Sequence, residues 1–341
     1  MAKTGRRSAA QRVGLDQSVH ALVEDIATRF VDRSDVADPK REARELLAAI
    51  LDKPKFWPLI HGEQWASADT WTRARAVADK RAAGAPFAYA VGRANFRNLT
   101  LQVDERVLIP RPETELLVGH VLEQCAPGGV AIDVGTGSGA IAIALATEGR
   151  FDRVLATDIS VDAIEVATAN AQRHAATNIE FVRGSLLEMS DIGRRTSQVR
   201  AVVSNPPYVS YDEIRELPAS VRDWEPMIAL LSGSNGLATT AKLVRQAAAL
   251  LEPGGLLALE VDARRVSLIT ELVSSEGRYE GVTVFLDLAG RERFLFATRR
   301  EQGLSKRELA SSADWSGRAR SIRSSSARMT RWGKTLRRCR C

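Results

Sequence analysis

Asp133-Val134-Gly135-Thr136-Gly137-Ser138-Gly139 is the stretch on which the reading of this chain turns. An apolar run of strand length, 130–134, leads into it, and a helix is expected beyond it over 138–147. Glycines at alternate positions allow a tight turn and let a ligand approach the backbone closely. The helix start adds N–H groups that have no partner of their own. A nicotinamide dinucleotide site would set its third glycine three residues after the second, where this chain has Ala140. Asp158 follows the next expected strand, 154–157, and a carboxylate there can accept both hydroxyls of a ribose. The alternative for Asp158 is a plain strand-end cap; the neighbouring glycine loop favours the ribose.

Outward from this stretch, strands and helices alternate. Helices are expected over 162–174, 237–251 and about 265–275, and strands over 179–182, 201–204 and 256–261. Pro253-Gly254-Gly255 reads as the stop of the helix before it. The runs 282–286 and 293–297 are separated by a short segment with Gly290 and read as a hairpin. The class implied is α/β, a doubly wound and mostly parallel sheet with an antiparallel end. Upstream, Leu99, Leu101 and Val103 alternate as on a half-buried strand, and Val107-Leu108-Ile109 reads as another, closed by Pro110-Arg111-Pro112. Pro112, with Glu113 and Glu115, suits the first turn of a helix. Residues 18–90 read as helices, from Ala21, Leu22, Ile26 and Phe30 and from Ala43, Leu46, Leu47 and Ile50. Ala68-Asp69 is the expected cap of a further helix, and Trp57, Trp65 and Trp71 are expected to pack.

The expected strand 201–204 ends in Asn205-Pro206-Pro207-Tyr208. Two prolines cannot continue a central strand, because neither has an N–H for the ladder. They make a rigid corner with an amide before it and an aromatic ring after it. That arrangement suits holding a planar amide or amino group by its N–H bonds; an ordinary strand-to-loop turn is the other reading.

Charge and cysteine content narrow the function classes. Residues 301–341 carry eleven Lys/Arg and three Asp/Glu, a balance of +8 against +6 for the whole chain, so residues 1–300 stand at −2. The basic character belongs to the tail, which removes the simplest argument for a nucleic-acid enzyme. The tail is low in apolar residues and is expected to be disordered. Cys125, Cys339 and Cys341 make no disulfide framework, which fits a reducing, cytoplasmic compartment. The histidines lack metal-ligand spacing, so no metal is expected. No apolar run reaches membrane-spanning length, and the N-terminal residues do not read as a secretory signal.

The glycine loop and Asp158 together resemble the class I S-adenosylmethionine-dependent methyltransferases, and Asn205-Pro206-Pro207-Tyr208 resembles those that methylate an amide or amino nitrogen. The run Val107-Leu108-Ile109-Pro110-Arg111-Pro112-Glu113-Thr114-Glu115 is similar to a signature of the glutamine methyltransferases of peptide-chain release factors, the PrmC/HemK family. The resemblance extends through Asp223-Trp224-Glu225-Pro226, the run 233–237 and Asp287-Leu288-Ala289-Gly290-Arg291, and covers roughly residues 85–298. It implies a Rossmann-like sheet of seven strands over 111–300, a β-hairpin linker over 91–110, a helical substrate-recognition domain over 18–90 and a flexible segment over 1–17.

The same resemblance implies S-adenosylmethionine as cofactor, held by Gly135, Thr136, Gly137, Ser138, Gly139, Asp158, Ser185, Leu186 and Asn205. Its implied substrate is the glutamine of a Gly-Gly-Gln loop in a release factor, bound by Asn205, Pro206, Pro207 and Tyr208. In that reading the Asn205 side-chain oxygen and the Pro206 carbonyl accept the two amide N–H bonds, and Tyr208 packs against the flat amide. A monomer is expected. The chain departs from the family at Ser185, where an acidic residue often lies near the adenine, and at Asp262-Ala263, where a glycine is usual. Arg111, Glu113 and Glu115 either line the cofactor mouth or serve the helix start. Cys125 is expected at a helix end in the core.

Three other readings compete. The same Asn-Pro-Pro-Tyr geometry serves the amino group of adenine or cytosine after base flipping, which the −2 body disfavours. A ribosomal protein could supply the glutamine. A degenerate relative could bind ribosomal RNA through the tail, against which the intact glycine loop, Asp158 and Asn205 stand.

Overall fold

The structure is a computed structural model that describes residues 17–188 and 198–301. The expectations for the N-terminal segment and the basic tail fall outside these residues, apart from Gln17 and Glu301. Among the described residues no helix is long and apolar enough to cross a membrane.

The helical part comprises α1 Val19–Thr28, α2 Pro39–Leu51, α3 Trp57–Ile60, α4 Ala68–Ala82 and α5 Phe87–Val91. Ser18 and Asp38 cap α1 and α2 by accepting the N–H of Ala21 and Arg41. Ser67 caps α4, in place of the expected Ala68-Asp69, because its hydroxyl reaches the Thr70 N–H. Leu22, Ile26, Phe30, Ala43, Leu46, Leu47, Ala74 and Ala78 bury together as a core of their own. Trp57 and Trp71 sit at its margin. Trp65 is 69% exposed, contrary to the expectation that it packs, and its indole N–H donates to Gln17 at the surface.

A hairpin comes next, β1 Arg93–Phe96 paired antiparallel with β2 Leu99–Gln102. Val107-Leu108-Ile109 is not a strand. Its backbone is bonded outside any ladder: the Val107 N–H donates to the Asp104 carbonyl at 3.1 Å, the Val107 carbonyl accepts from the Tyr89 hydroxyl at 2.6 Å, and the Ile109 N–H donates to Glu225 Oε2 at 3.4 Å. Tyr89, Val103 and Val107 pack with Ala163 and Val166, and this small cluster joins the helical part to the part that carries the large sheet.

The sheet contains β3 Val130–Val134, β4 Arg153–Asp158, β5 Ile179–Arg183, β6 Val199–Ser204, β7 Leu251–Glu260, β8 Tyr279–Leu286 and β9 Glu292–Arg299. Its order is β5-β4-β3-β6-β7-β9-β8, parallel except for β9, which runs against both neighbours. Alternate residues feed two cores. Ala201 and Val203 face α6 Pro112–Gln124 and α7 Ala140–Glu148, while Val202 faces the helices Ala238–Leu250 and Val266–Ser275. Helix α7 is apolar all round because the sheet, α6 and the hairpin enclose it. Strand β7 begins five residues before the expected 256. Pro253-Gly254-Gly255 forms a bulge within it, where the register moves from Val199↔Leu251 to Ala201↔Leu256.

Asn170, on α8 Val161–Arg173, ties three of these parts together. Fully buried, it accepts the Gln102 N–H at 2.8 Å and donates to the Gln102 carbonyl at 3.0 Å and the Ser138 carbonyl at 2.9 Å. Asn170→Ala would leave these backbone groups without partners, a loss of about 2–4 kcal/mol. Urea unfolding measures it; a change below about 1 kcal/mol, the net worth of one ordinary hydrogen bond, would contradict the bridging role.

Candidate active site

The strand order reverses between β3 and β6, so chain connections leave their carboxyl ends in opposite directions and open a crevice there. Val134 pairs with Ser204, and the Ser204 hydroxyl donates to the Val134 carbonyl at 2.7 Å. The next residue on each strand, Gly135 on one and Asn205 on the other, therefore leaves the sheet beside its counterpart.

A cavity of about 400 Å³ lies over these strand ends. Of the residues expected to hold a cofactor, Gly135, Gly137, Asp158, Ser185, Leu186 and Asn205 line it. A Cβ built on Gly135 or Gly137 would meet no atom within 4 Å, and both residues take positive φ, so this wall of the cavity is kept clear by glycine. Thr136, Ser138 and Gly139 are not among the lining residues. The Thr136 hydroxyl donates to Asp133 Oδ2 at 2.7 Å, and the Ser138 carbonyl accepts from Asn170. They shape the loop from behind. Asp133 Oδ2 also accepts the Ala142 N–H at 3.0 Å, and burial pushes its carboxyl up to about 7.

Asp158 sits at the end of β4, with Oδ2 accepting the Gly137 N–H and Oδ1 the Ser160 N–H, both at 2.9 Å. Each carboxylate oxygen retains acceptor capacity, and the carboxylate lies on the cavity wall. A nucleoside with two adjacent hydroxyls fits the acceptor capacity that Asp158 offers here. Ile159, Ala163, Leu186, Pro226, Ile228 and Leu231 give the cavity an apolar part that suits an adenine ring, while Arg106, Ser160, Thr239 and Lys242 add polar groups to its lining. Open glycine wall, carboxylate and apolar slot together fit S-adenosylmethionine.

A second, smaller cavity of about 40 Å³ adjoins the first and is lined by Arg111, Pro206 and Tyr208. Leu108, Asn205 and Ala229 belong to the walls of both. The smaller space has room for one small polar group. Burial, with the Glu260 charge nearby, pushes the Tyr208 phenol up to about 12, so it stays neutral.

Several residues that lie in runs recognisable in the sequence, but to which the sequence gives no partner, shape the site. Glu225, its side chain 1% exposed, binds Arg111 at 2.6 Å, so Arg111 is fixed by an ion pair beside the smaller cavity. Gly236 lies against the loop after Tyr208: a Cβ there would stand 2.1 Å from the Tyr208 carbonyl oxygen. Asp262 binds Arg265, which reaches Glu213 at 2.6 Å and steadies the segment beyond Tyr208. Glu113 pairs with Arg291 at 3.5 Å. Cys125 ends α6, half-buried, with its thiol pushed up by burial to about 11. No cluster of metal-ligating side chains exists among the described residues.

Known proteins match both parts of the chain. A family model described as a methyltransferase domain matches residues 126–303, and one described as the PrmC N-terminal domain matches residues 24–92. The release factor glutamine methyltransferase of Moorella thermoacetica is 39% identical over 281 residues, covering 81% of this chain and 97% of that protein. The protein of the same name from Aliivibrio fischeri is 34% identical over 278 residues, covering 81% and 95%. That of Deinococcus radiodurans is 36% identical over 276 residues, covering 80% and 96%. With both parts of the chain matched and nearly the whole length of these relatives covered, the chain belongs to the release factor glutamine methyltransferase family.

Proposed function

We propose that this chain transfers a methyl group from S-adenosylmethionine to the side-chain amide nitrogen of a glutamine in a translation release factor. The observation that carries the reading is the place of Asn205 in the wall shared by the two cavities. One cavity fits the nucleoside of the methyl donor, and the other admits a small planar group.

When bound, S-adenosylmethionine supplies an electrophilic methyl on a sulfonium. The chain's own residues then have to make a poor nucleophile react. An amide nitrogen has its lone pair delocalised into the carbonyl. The Asn205 side-chain oxygen and the Pro206 carbonyl accept its two N–H bonds, holding nitrogen toward the larger cavity. The same acceptors favour the positive charge that grows on nitrogen as the methyl–sulfur bond breaks and the methyl–nitrogen bond forms; the nitrogen then loses one of its two protons to solvent, and S-adenosylhomocysteine is the other product. Pro206 and Pro207 fix the backbone of this corner, and Tyr208 flanks the amide with a neutral ring. Asp158 holds the ribose, Gly135 and Gly137 the amino-acid end, with Thr136, Ser138 and Gly139 shaping their loop from behind, and Ser185 and Leu186 the adenine side.

In this reading the helical part, residues 18–90, recognises the protein substrate, with residues 91–110 linking it to the methyltransferase domain. The exposed Phe56, Leu59, Ile60 and Trp65 give it apolar surface for that purpose. The enzyme works as a monomer beside its substrate in the cytoplasm. A nucleic-acid substrate is disfavoured by the −2 balance of residues 1–300.

Incubation with labelled S-adenosylmethionine and, in separate reactions, release factor, ribosomal protein or DNA distinguishes the substrates. Label in the release factor is expected; label in DNA alone would refute the assignment. Asn205→Ala is expected to lower transfer by about a thousandfold, from lost orientation and lost charge stabilisation. Retained activity in that variant would refute the role of Asn205. Asp158→Ala is expected to weaken binding of S-adenosylhomocysteine in calorimetry by about 10- to 100-fold, or about 1.4–2.8 kcal/mol. An unchanged Kd would remove Asp158 from the ribose site.

A further inference from the structure

Behind Asn205, on the side away from the cavities, runs a chain of side-chain hydrogen bonds that the transfer reaction itself does not require. Asn205 Nδ2 meets Thr114 Oγ1 at 3.3 Å, and Thr114 Oγ1 meets Glu260 Oε2 at 2.6 Å. The three residues come from three elements: the turn after β6, the first turn of α6 and the end of β7. Thr114 and Glu260 are buried, 5% and 2% exposed. The pairing of Ser204 with Leu259 brings Glu260 and Asn205 to the same end of the sheet.

Donor and acceptor counts decide what this chain does. An ionised carboxylate only accepts, and a hydroxyl has one hydrogen to give. With Glu260 ionised, that hydrogen goes to Glu260 Oε2, and Thr114 Oγ1 can then only accept from Asn205. Asn205 must therefore turn its NH₂ toward Thr114. Its Oδ1, which has no hydrogen bond among the described residues, is left as the acceptor for an incoming amide. Protonated Glu260 reverses the chain: its O–H donates to Thr114, the threonine hydrogen turns toward Asn205, and the amide is drawn round to present Oδ1 to it. An NH₂ would then face the N–H groups of the substrate.

We infer that Thr114 and Glu260 are positioning residues that set the orientation of the Asn205 amide, and that transfer requires Glu260 to be ionised. The inference rests on Asn205 being the acceptor for the glutamine amide. The charge of Glu260 is balanced by several groups. Burial disfavours it, as does Glu113 on α6; Arg293 on β9 and Arg111 before α6 favour it, as does the hydroxyl of Thr114. Tyr208 faces it from the turn after β6 as a neutral phenol. The result is a carboxyl pushed up to about 7, inside the range in which activity can be measured.

Below about 7 Glu260 is protonated and the rate of transfer falls, whereas above it the rate reaches its plateau. Stability runs the other way. A carboxyl whose folded-state pKa is raised holds its proton more firmly in the fold, so its contribution is lost as pH rises from the ordinary carboxyl value of 4.5 through about 7. Rate and stability should move in opposite directions across the same window.

The test is the pH dependence of kcat for methyl transfer to release factor by the full chain and its variants, with the melting temperature taken at each pH. Thr114→Val keeps the packing and removes the relay; kcat is expected to fall by about tenfold or more, the scale of a lost orientation, with the Kd for S-adenosylhomocysteine unchanged. Thr114→Ser, which restores the hydroxyl, should recover most of the rate. Glu260→Gln should retain a fold and lose both the acid limb of the rate and the opposing slope in stability. Wild-type kcat in Thr114→Val, or an acid limb that survives in Glu260→Gln, would overturn the inference. Should Thr114→Val not fold, the Glu260→Gln profile alone decides. Full activity in Asn205→Ala would instead overturn the underlying reading of the active site.

Discussion

The parallel pairing of β3 with β6 is the constraint on which the rest depends. These two strands carry the glycine loop and the Asn-Pro-Pro-Tyr turn, which lie some 70 positions apart in the chain, between Val134 and Ser204. A shift of one residue in their register would turn Ala201 and Val203 toward the wrong core and separate Gly135 from Asn205. Burial on both faces of the sheet holds the register, and the Ser204–Val134 hydrogen bond closes its end. The site is thus a by-product of sheet packing at the point where the strand order reverses.

The buried polar groups are concentrated around that point. Asp133 gathers the glycine loop, Asn170 bolts it to the hairpin, Glu225 holds Arg111 and the Ile109 N–H, and Glu260 backs Thr114. Each such group is costly to bury unless its partners are in place. Together they trade stability for definition: the loops around the crevice have few alternative ways of satisfying these donors and acceptors. Rigid positioning is what an amide nucleophile needs, since its weakness is electronic and orientation is the protein's main remedy.

The alternating sheet was legible because buried parallel strands read as short apolar runs and glycine loops mark strand-to-helix turns. Gly135, Asp158 and Asn205 could be placed for the same reason, since each directly follows or ends such a run, and Gly137 through its place in the glycine loop. Val107 to Ile109 misled, since its apolar residues and closing proline look like a strand while Asp104, Tyr89 and Glu225, and no neighbouring strand, supply its hydrogen bonds. Pro253-Gly254-Gly255 misled in the opposite sense, because a bulge and a helix stop use the same residues. Thr114 and Glu260 lie in recognisable runs, yet nothing in the sequence gives them a role. A buried carboxylate at a strand end is indistinguishable in sequence from a surface one until the strand across from it is known. Asn170 left a fainter signal, a lone amide among Ala163, Val166, Ala167 and Ala171 on an otherwise apolar helix face.

The central claim is that one amide side chain, Asn205, receives the substrate nitrogen at the boundary between two cavities. A crystal structure of the full chain with S-adenosylhomocysteine and a peptide containing the Gly-Gly-Gln loop tests it most directly. The account predicts the glutamine nitrogen within about 3 Å of both Asn205 Oδ1 and the Pro206 carbonyl oxygen. It also predicts the Asn205 NH₂ turned toward Thr114. A glutamine side chain bound elsewhere, or one whose nitrogen faces away from Asn205, would contradict it.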